Sequence, residues 1–527
     1  MRKSDRLWSI SRRRILGGIA AFGVGGLPQY WPAVAFGQGA PRRGGVLRVS
    51  VVRRPNTLNP LRHINEAEYV LGELMYNALT RLDYDMKPAP DLALSWEPNA
   101  DVTEWTFHLR PNVKFHHGQA MTSRDVVATY EALLDEKTAS PGRRNVGPIE
   151  KVIDVNPKTV RFKLSTPYAD LPAVLAHTTA KILPVDALNR DLKELTNTEY
   201  GTGPFRLKEY DPSRLCRVER NPDYFLKDLP YLDALEEVFY PDAAAEVAAF
   251  LNKELDIMLE VQGSDFERIK SAQGAEAIEV PSGRFPNLVL GCDAKPFDDP
   301  RVRQALSLAL DRKQLVDLVL DGFGQPAADT PVSSSYRYYK DSGAPKFDAA
   351  EARRLLSEAG YPKGIEITLV AANSPAIRGR LAIAVRELAR PAGFNINVQM
   401  MPYDTYLAQV WKKGNFYVGW YNMQPTEDGI FKQLYTSDAV WNETRWNNQE
   451  FDKLIDRART SIDDKARREL YGQAQELMRR QVPAIIPVFV DLLAARQKYV
   501  QGYRHHPRGA IFNLERVWLG DGAPKRT

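Results

Sequence analysis

Seven histidines, His63, His108, His116, His117, His177, His505 and His506, are the groups best suited to proton transfer or metal ligation near neutral pH. None falls in an H-E-x-x-H arrangement or in a Cys/His pattern with zinc spacing, so no metal centre is expected. Within a strand, the adjacent pairs His116-His117 and His505-His506 would point to opposite faces and could not share one ion. The sequence has no G-x-S-x-G elbow, no Walker A loop and no G-x-G-x-x-G between a strand and a helix. Gly201-Thr202-Gly203-Pro204 is glycine-rich, but Pro204 lacks the backbone N–H that a phosphate loop would use, and a tight turn is expected instead. Carboxylates are numerous, and no spacing marks out a glycosidase-like pair. No residue pattern here supports an enzyme reading, and no cofactor is expected.

The elements that position such residues alternate between strand and helix. The run Val46 to Val52 is rich in β-branched residues and opens the fold after a Gly/Pro/Arg segment, Gly37 to Gly45. Thr122-Ser123-Arg124-Asp125 precedes an apolar series Val126, Val127, Tyr130, Leu133, Leu134 and reads as a capped amphipathic helix. Two hairpins follow, 152–164 around Asn156-Pro157-Lys158 and 205–219 around Asp211-Pro212-Ser213. From about residue 286 the pattern is more regularly helical, with Val302, Ala305, Leu306, Ala309 and Leu310 at helical spacing and a second helix capped by Asp348-x-x-Glu351 and stopped at Gly360. Strands are expected at 365–370, 395–399, 416–420 and 484–489. This alternation predicts at least two α/β lobes with a boundary near 285.

Composition narrows the class. The chain has 527 residues, 44% hydrophobic and 26% charged, enough for about three domains and unlike a disordered or polytopic membrane chain. Its net charge of +5 comes from the first 35 residues, where Arg2, Lys3, Arg6 and Arg12 to Arg14 face only Asp5, and without them the two signs balance. A neutral remainder has no basic footprint for nucleic acid. Residues 1–35 read as a secretory signal: a basic stretch ending Ser11-Arg12-Arg13-Arg14, an uncharged, glycine-rich stretch from Ile15 to Leu27, and Ala33-Val34-Ala35 as the cleavage site. The uncharged part is too short to anchor the chain in a bilayer. The twin arginine followed by Ile15-Leu16 resembles a twin-arginine export signal, and a soluble periplasmic monomer, cleaved near Ala35, is expected. Cys216 and Cys292 are too few for a disulfide framework; packing is the expected role, and pairing stays open.

Several blocks, in order, resemble the large periplasmic solute-binding proteins of ABC importers, the peptide/nickel-binding group known as solute-binding protein family 5. They are Leu58-Asn59-Pro60; Tyr76 to Leu79; Asp91-Leu92-Ala93; Ser95-Trp96-Glu97; Trp105 to Arg110; Val113 to Gly118; Gly201 to Phe205; Arg220 to Phe225; and Pro296 to Ala305, closing at Asp311-Arg312. The resemblance implies an α/β, two-lobed periplasmic-binding-protein fold (type II, with an extra subdomain) and a ligand cleft between the lobes. Lobe I is expected at 43–285, including the extra subdomain at about 75–195, lobe II at 286–490, and a C-terminal return to lobe I at 491–527. The two crossings would form a hinge. The implied function is a receptor that captures a solute and hands it to an ABC permease and its ATPase in the inner membrane. A peptide or amino-acid-derived solute is the first expectation, an oligosaccharide the second and a metal chelate the third. A periplasmic hydrolase and a chaperone-like protein are the alternatives outside this class.

The same resemblance nominates a site. The family's ligand segment often reads Trp-x-x-Asp, with the aspartate on the ammonium of a bound peptide. Here Trp420-Tyr421-Asn422-Met423 keeps the tryptophan but has Met423 at the aspartate position. Glu427, or Asp428, is the expected replacement, although both open a helix, where acids sit for dipole reasons. Trp420 and Tyr421 offer aromatic faces. The loop Trp441, Asn442, Arg445, Trp446 adds polar and aromatic groups, with Arg445 suited to a carboxylate. From lobe I, Asn65 and Glu66 follow the Asn59-Pro60 block, and His177, seven residues before Pro184, matches a histidine of oligopeptide-binding relatives.

Overall fold

The β-branched run at the start of the chain becomes a central strand, Val46–Val51, flanked in parallel by Ala234–Phe239 and Ile257–Met258. The computed structural model describes residues 40–51, 54–189, 200–509 and 511–526; the expected export signal lies outside them. From the hairpin Phe205–Asp211 and Leu215–Arg220 the sheet continues through these strands to Val488–Gln497, Ala275–Leu290, Phe416–Tyr421, Ile365–Ala372 and Phe394–Met401. The last four alternate with helices such as Pro300–Leu308, Ala349–Glu358 and Ile377–Ala389, each with an apolar stripe against the sheet. A separate antiparallel sheet of four strands, 93–98, 104–109, 159–164 and 149–156, carries the helix Ser123–Leu134.

The apolar side chains form two large clusters. One holds residues 47 to 259 and 500 to 517, the other 288 to 488, and they are the cores of the two lobes of an α/β fold. Two antiparallel strands join them. Ala275–Leu290 pairs with Val488–Gln497 over its first part and with Phe416–Tyr421 over its last, and its register shifts between Val280 and Arg284. There Ser282 Oγ donates to Val490 O at 2.6 Å. A third cluster, built mainly from 421 to 486, also takes in Leu82, Met86, Ala173, Ala176 and Ile511 and packs one lobe against the other.

Two local expectations change. The run 484–489 is not one strand: Ala484–Ile485 and Val488–Gln497 are separate, because Pro487 has no N–H for a ladder and Ile486 donates to Asp329 Oδ1 instead. Gly201 to Pro204 is not a tight turn but a close approach of two backbones. Gly203 N–H donates to Met75 O at 2.9 Å, and a Cβ on Gly201 or Gly203 would lie 1.8 or 2.4 Å from Met75 backbone atoms. His116 closes the same junction through Nε2 to Gly203 O, 3.0 Å. Both cysteines are free thiols. Among the described residues no helix is long and apolar enough to cross a membrane, and no group of three His, Cys, Asp or Glu side chains could hold a metal ion.

Candidate functional site

The strand Phe416–Tyr421 is aromatic and β-branched, and its end delivers Trp420 and Tyr421 beside the crossing strand, opposite Pro286 and Phe285. Past it, Tyr421, Asn422, Met423 and Gln424 form one wall of a cavity of about 800 Å³. The opposite wall comes from Asn65, Glu66, Tyr69, His177 and Arg508 of the other lobe, and Arg284 of the crossing strand completes it. The cavity therefore brings together Asn65, Glu66, His177, Trp420, Tyr421, Asn422, Met423 and Trp441, eight residues scattered over more than 370 positions of sequence. Glu66, Glu260, Arg284, Trp420 and Gly509 also line an adjoining cavity of about 380 Å³.

Five nominated residues lie elsewhere: Glu427, Asp428, Asn442, Arg445 and Trp446. Glu427 is buried at the start of the helix Glu427–Leu434, where its carboxylate accepts the Tyr338 N–H at 2.5 Å. Burial pushes its pKa up to about 7. Asp428 beside it is also buried, 3.7 Å from Arg459. Neither lines the cavity, so the acids at this helix start belong to its packing. Asn442 holds its loop together, donating to Trp446 O at 2.8 Å and accepting from Thr444. Arg445 adopts a left-handed backbone (φ 53°), and its guanidinium binds Asp293, Asn415 and the Gly414 carbonyl. It lies so close over Gly291 that a Cβ there would stand 2.2 Å from Nη2. Four of the five Arg445 donors are thus taken up by neighbours, and the residue does not line the cavity.

What that loop does present is Glu443. Trp441 N–H donates to Gln433 O and Glu443 N–H to Trp441 O, and this tight path turns Glu443 into the cavity with only 3% of its surface exposed. Burial raises its pKa to about 7, opposed by the polar hydrogens of Tyr421, Trp411 and Tyr417. Met423, at the aspartate position of the Trp-x-x-Asp pattern, is buried with Tyr336 over Gly283 and offers no charge.

The remaining electrostatics are set by arginines that sequence reasoning missed. Arg378 is 6% exposed, with its guanidinium 5.3 and 4.9 Å from the ring centroids of Tyr403 and Tyr406. Its Nε and Nη1 have no hydrogen-bond partner, nor have Nε and Nη1 of Arg508 or Nε of Arg284. Buried donors left unmade cost free energy, and guanidinium donors in a cavity wall suit carboxylates. One signal for Arg378 was available: it occupies the apolar stripe of its helix with Leu381, Ala382, Val385 and Ala389, where a charge is out of place unless it serves a site. Arg508 stands in an irregular segment with no periodicity to expose it.

The lobe I residues are held firmly. Asn65 caps the helix Glu66–Met75 in a reciprocal box with Glu68. Glu66 is raised to about 8 by burial and by Glu260, against the pull of Arg284. His177 Nδ1 accepts the Thr179 N–H at 3.2 Å, which assigns the proton of the neutral ring to Nε2. Burial, with Arg508 and Lys181 nearby, lowers its pKa to about 3 and keeps it neutral.

Comparison with known proteins gives a consistent picture. The model for bacterial extracellular solute-binding proteins, family 5, matches residues 87–442. The oligopeptide-binding protein AppA of Bacillus subtilis (strain 168) is 27% identical over 510 residues, 91% of this chain and 93% of AppA. The glutathione-binding protein GsiB of Escherichia coli (strain K12) is 25% identical, covering 86% of this chain and 91% of its own. Among solved structures, AgaA in complex with agropinic acid, from Agrobacterium tumefaciens R10, superposes with a TM-score of 0.73 at 26% identity, covering 90% of this chain and 99% of that one. The murein tripeptide-binding protein MppA in its unliganded open form superposes at 0.81 and 22% identity, covering 91% and 98%.

Proposed function

The chain belongs to the bacterial extracellular solute-binding proteins of family 5, and on that premise we propose that it captures a peptide-like or amino-acid-derived solute bearing at least one carboxylate. The observation that carries this reading is a cavity walled by both lobes in which Arg284, Arg378 and Arg508 keep unmade hydrogen bonds. Peptides and amino-acid derivatives supply carboxylates, whereas a neutral oligosaccharide would bring no counter-charge to Arg378 and Arg508. The relatives named for oligopeptides and glutathione, and the neighbour holding agropinic acid, carry ligands of this chemistry.

In this reading Trp420, Tyr421, Asn422 and Trp441 of lobe II and Asn65, Glu66 and His177 of lobe I contact the solute, which draws the lobes together because it touches both. Lobe I runs over 43–285 with an extra subdomain at about 75–195 and returns at 491–527; lobe II spans 286–490. The chain leaves the cytoplasm by the twin-arginine route, is cleaved near Ala35, works as a monomer in the periplasm and delivers its cargo to an ABC permease and its ATPase without chemistry of its own. The test is native mass spectrometry of the processed chain purified gently from periplasm, followed by denaturing release of any adduct. A stoichiometric, carboxylate-bearing adduct is expected. A neutral sugar as the sole adduct, or turnover of an added peptide, would overturn the reading.

A further inference from the structure

A second cavity, of about 710 Å³, shares no lining residue with the solute cavity. That volume suits a small molecule. The two crossing strands supply one wall, with Glu276, Ile278 and Val280 on one strand and Arg496 on the other. Tyr84 and Lys87 reach it from the lobe of the first core, Arg337 and Arg468 from the lobe of the second, and Arg504 from the segment that returns to the first. Tyr336 and the segment Tyr503 to Gly509 stand between the two cavities. Tyr336 Oη accepts the N–H of Gln424 at 2.9 Å, and Arg504 and Pro507 line one cavity while Arg508 and Gly509 line the other.

The charge of this second cavity is one-sided. Five cations line it, Lys87, Arg337, Arg468, Arg496 and Arg504, against two carboxylates, Asp85 and Glu276, in a chain whose charges balance beyond residue 35. Glu276 is already engaged: Arg496 Nε and Nη2 donate to its Oε2 at 3.0 and 2.8 Å. Arg337 pairs with Asp464 at 2.5 Å, yet its buried Nε has no hydrogen-bond partner. Among the described residues Lys87, Arg468 and Arg504 form no ion pair. The two arginines are held by rings instead, Arg504 at 3.9 Å from the Tyr84 centroid and Arg468 at 5.5 Å from that of Tyr338, which Arg337 approaches to 5.1 Å. Cations gathered around one concave surface without counter-charges repel one another, and an anion that reaches several of them removes that repulsion. Guanidinium forks fit the oxygens of phosphate and carboxylate groups, whereas a neutral ligand leaves the excess charge as it is.

We propose that this cavity is a second ligand site, which takes a small polyanion bearing phosphate groups or several carboxylates and joins the two lobes through it. Lys87 and Arg504 hold the anion from one lobe and Arg468 from the other. Binding there stabilises the folded chain, and because the anion touches both lobes it is linked to any change in the angle between them. The site goes beyond the solute-receptor reading and does not depend on which solute the other cavity takes.

The experiment is titration calorimetry of the processed chain with tripolyphosphate and with citrate, at about 0.15 M salt so that attraction between distant charges is screened. Wild type is expected to bind one equivalent of at least one of these anions with a Kd of about 100 µM or tighter. Arg468→Gln and Arg504→Gln are each expected to weaken binding about threefold or more, and the double variant about tenfold or more. Both side chains are exposed, and circular dichroism checks that the variants fold; should either fail, Lys87→Gln carries the same test with the same expected loss. Tighter binding of tripolyphosphate identifies a phosphate ligand and tighter binding of citrate a polycarboxylate; both support the site. Binding of neither anion, or unchanged binding in the double variant, would overturn it. So would an equal loss in Arg144→Gln with Lys158→Gln, two exposed cations outside the cavity. A loss in Arg378→Gln with the double variant unaffected would place the anion in the solute cavity, and a loss in only one of the two single variants would remove the link between lobes; each overturns the proposal. If the chain sediments with phosphatidylglycerol vesicles but binds neither soluble anion, the arginines serve a membrane surface and the proposal falls. All of these outcomes leave the receptor reading intact.

Discussion

Asp170 of one lobe and Arg467 of the other form an ion pair of 2.6 Å, with only 7% and 6% of the side chains exposed. The guanidinium also lies 5.0 Å from the Tyr338 ring and 5.6 Å from that of Tyr471, and next to the pair Ala169 N–H donates to Arg459 O across the same junction. Asp170 Oδ2 and Arg467 Nε make no hydrogen bond, so the pair fixes geometry more than it adds stability.

Removing one partner strands the other charge. Asp170→Ala is expected to cost roughly 3 kcal/mol of unfolding free energy, whereas Asp170→Leu with Arg467→Met costs clearly less than the sum of the single changes. Urea unfolding of the four proteins of that cycle measures both quantities, and additivity would contradict the coupling.

Arg378 lines the cavity, and its buried Nε and Nη1 have no hydrogen-bond partner. Arg378→Gln is expected to weaken binding of a carboxylate solute by about tenfold or more, equivalent to about 1.4 kcal/mol, and to leave binding of its methyl ester nearly unchanged. Calorimetry on acid and ester tells a lost carboxylate contact from general damage, which would weaken both.

At the junction of Gly203 with Met75 there is no room for a methyl group. Gly203→Ala is expected to destabilise the protein by roughly 3 kcal/mol or more, because the obstacle is backbone rather than a side chain that can move. Thermal melting gives the answer, and a midpoint within one degree of wild type would show that the two backbones separate at little cost.

The pH response follows from buried acids. Glu66 titrates at about 8 and Glu246, Glu427 and Glu443 at about 7, first because of burial, and Glu237 is pushed further up for the same reason. A carboxyl raised on folding binds more protons in the native state, so stability falls as pH climbs from the unfolded value through the folded one. His63, His177, His505 and His506, lowered by burial to about 3, 3, 3 and 4, act in the opposite sense, but only below about pH 6.5, the ordinary histidine value. Between pH 6.5 and 8 the carboxyls dominate, and the urea midpoint of the ligand-free protein is expected to fall as pH rises. Glu66→Gln should flatten the slope, since that side chain faces Glu260, Glu246 and Arg284; an unchanged slope would remove Glu66 from the account.

How far the sequence reached depended on the range of the forces involved. Helix caps at Thr122 and Asp348, the strand ending in Trp420 and the hairpins are local matters of spacing and turn chemistry, and all appear in the structure. Motif resemblance supplied the family and, through it, eight residues of the cavity wall. The tertiary structure decided which polar groups in those segments are free. Glu427, Asn442 and Arg445 have the right chemistry, but each is satisfied by a neighbour distant in sequence or hidden by the loop's own path: Tyr338 for Glu427, Asp293 for Arg445. Glu443, one residue from Asn442, faces the cavity only because that loop is pinned. Arg378 and Arg508, 130 positions apart, meet there through the two strands that carry the chain between lobes. Local patterns record what a residue can do; whether its hydrogen bonds are already made depends on long-range neighbours that those patterns do not specify.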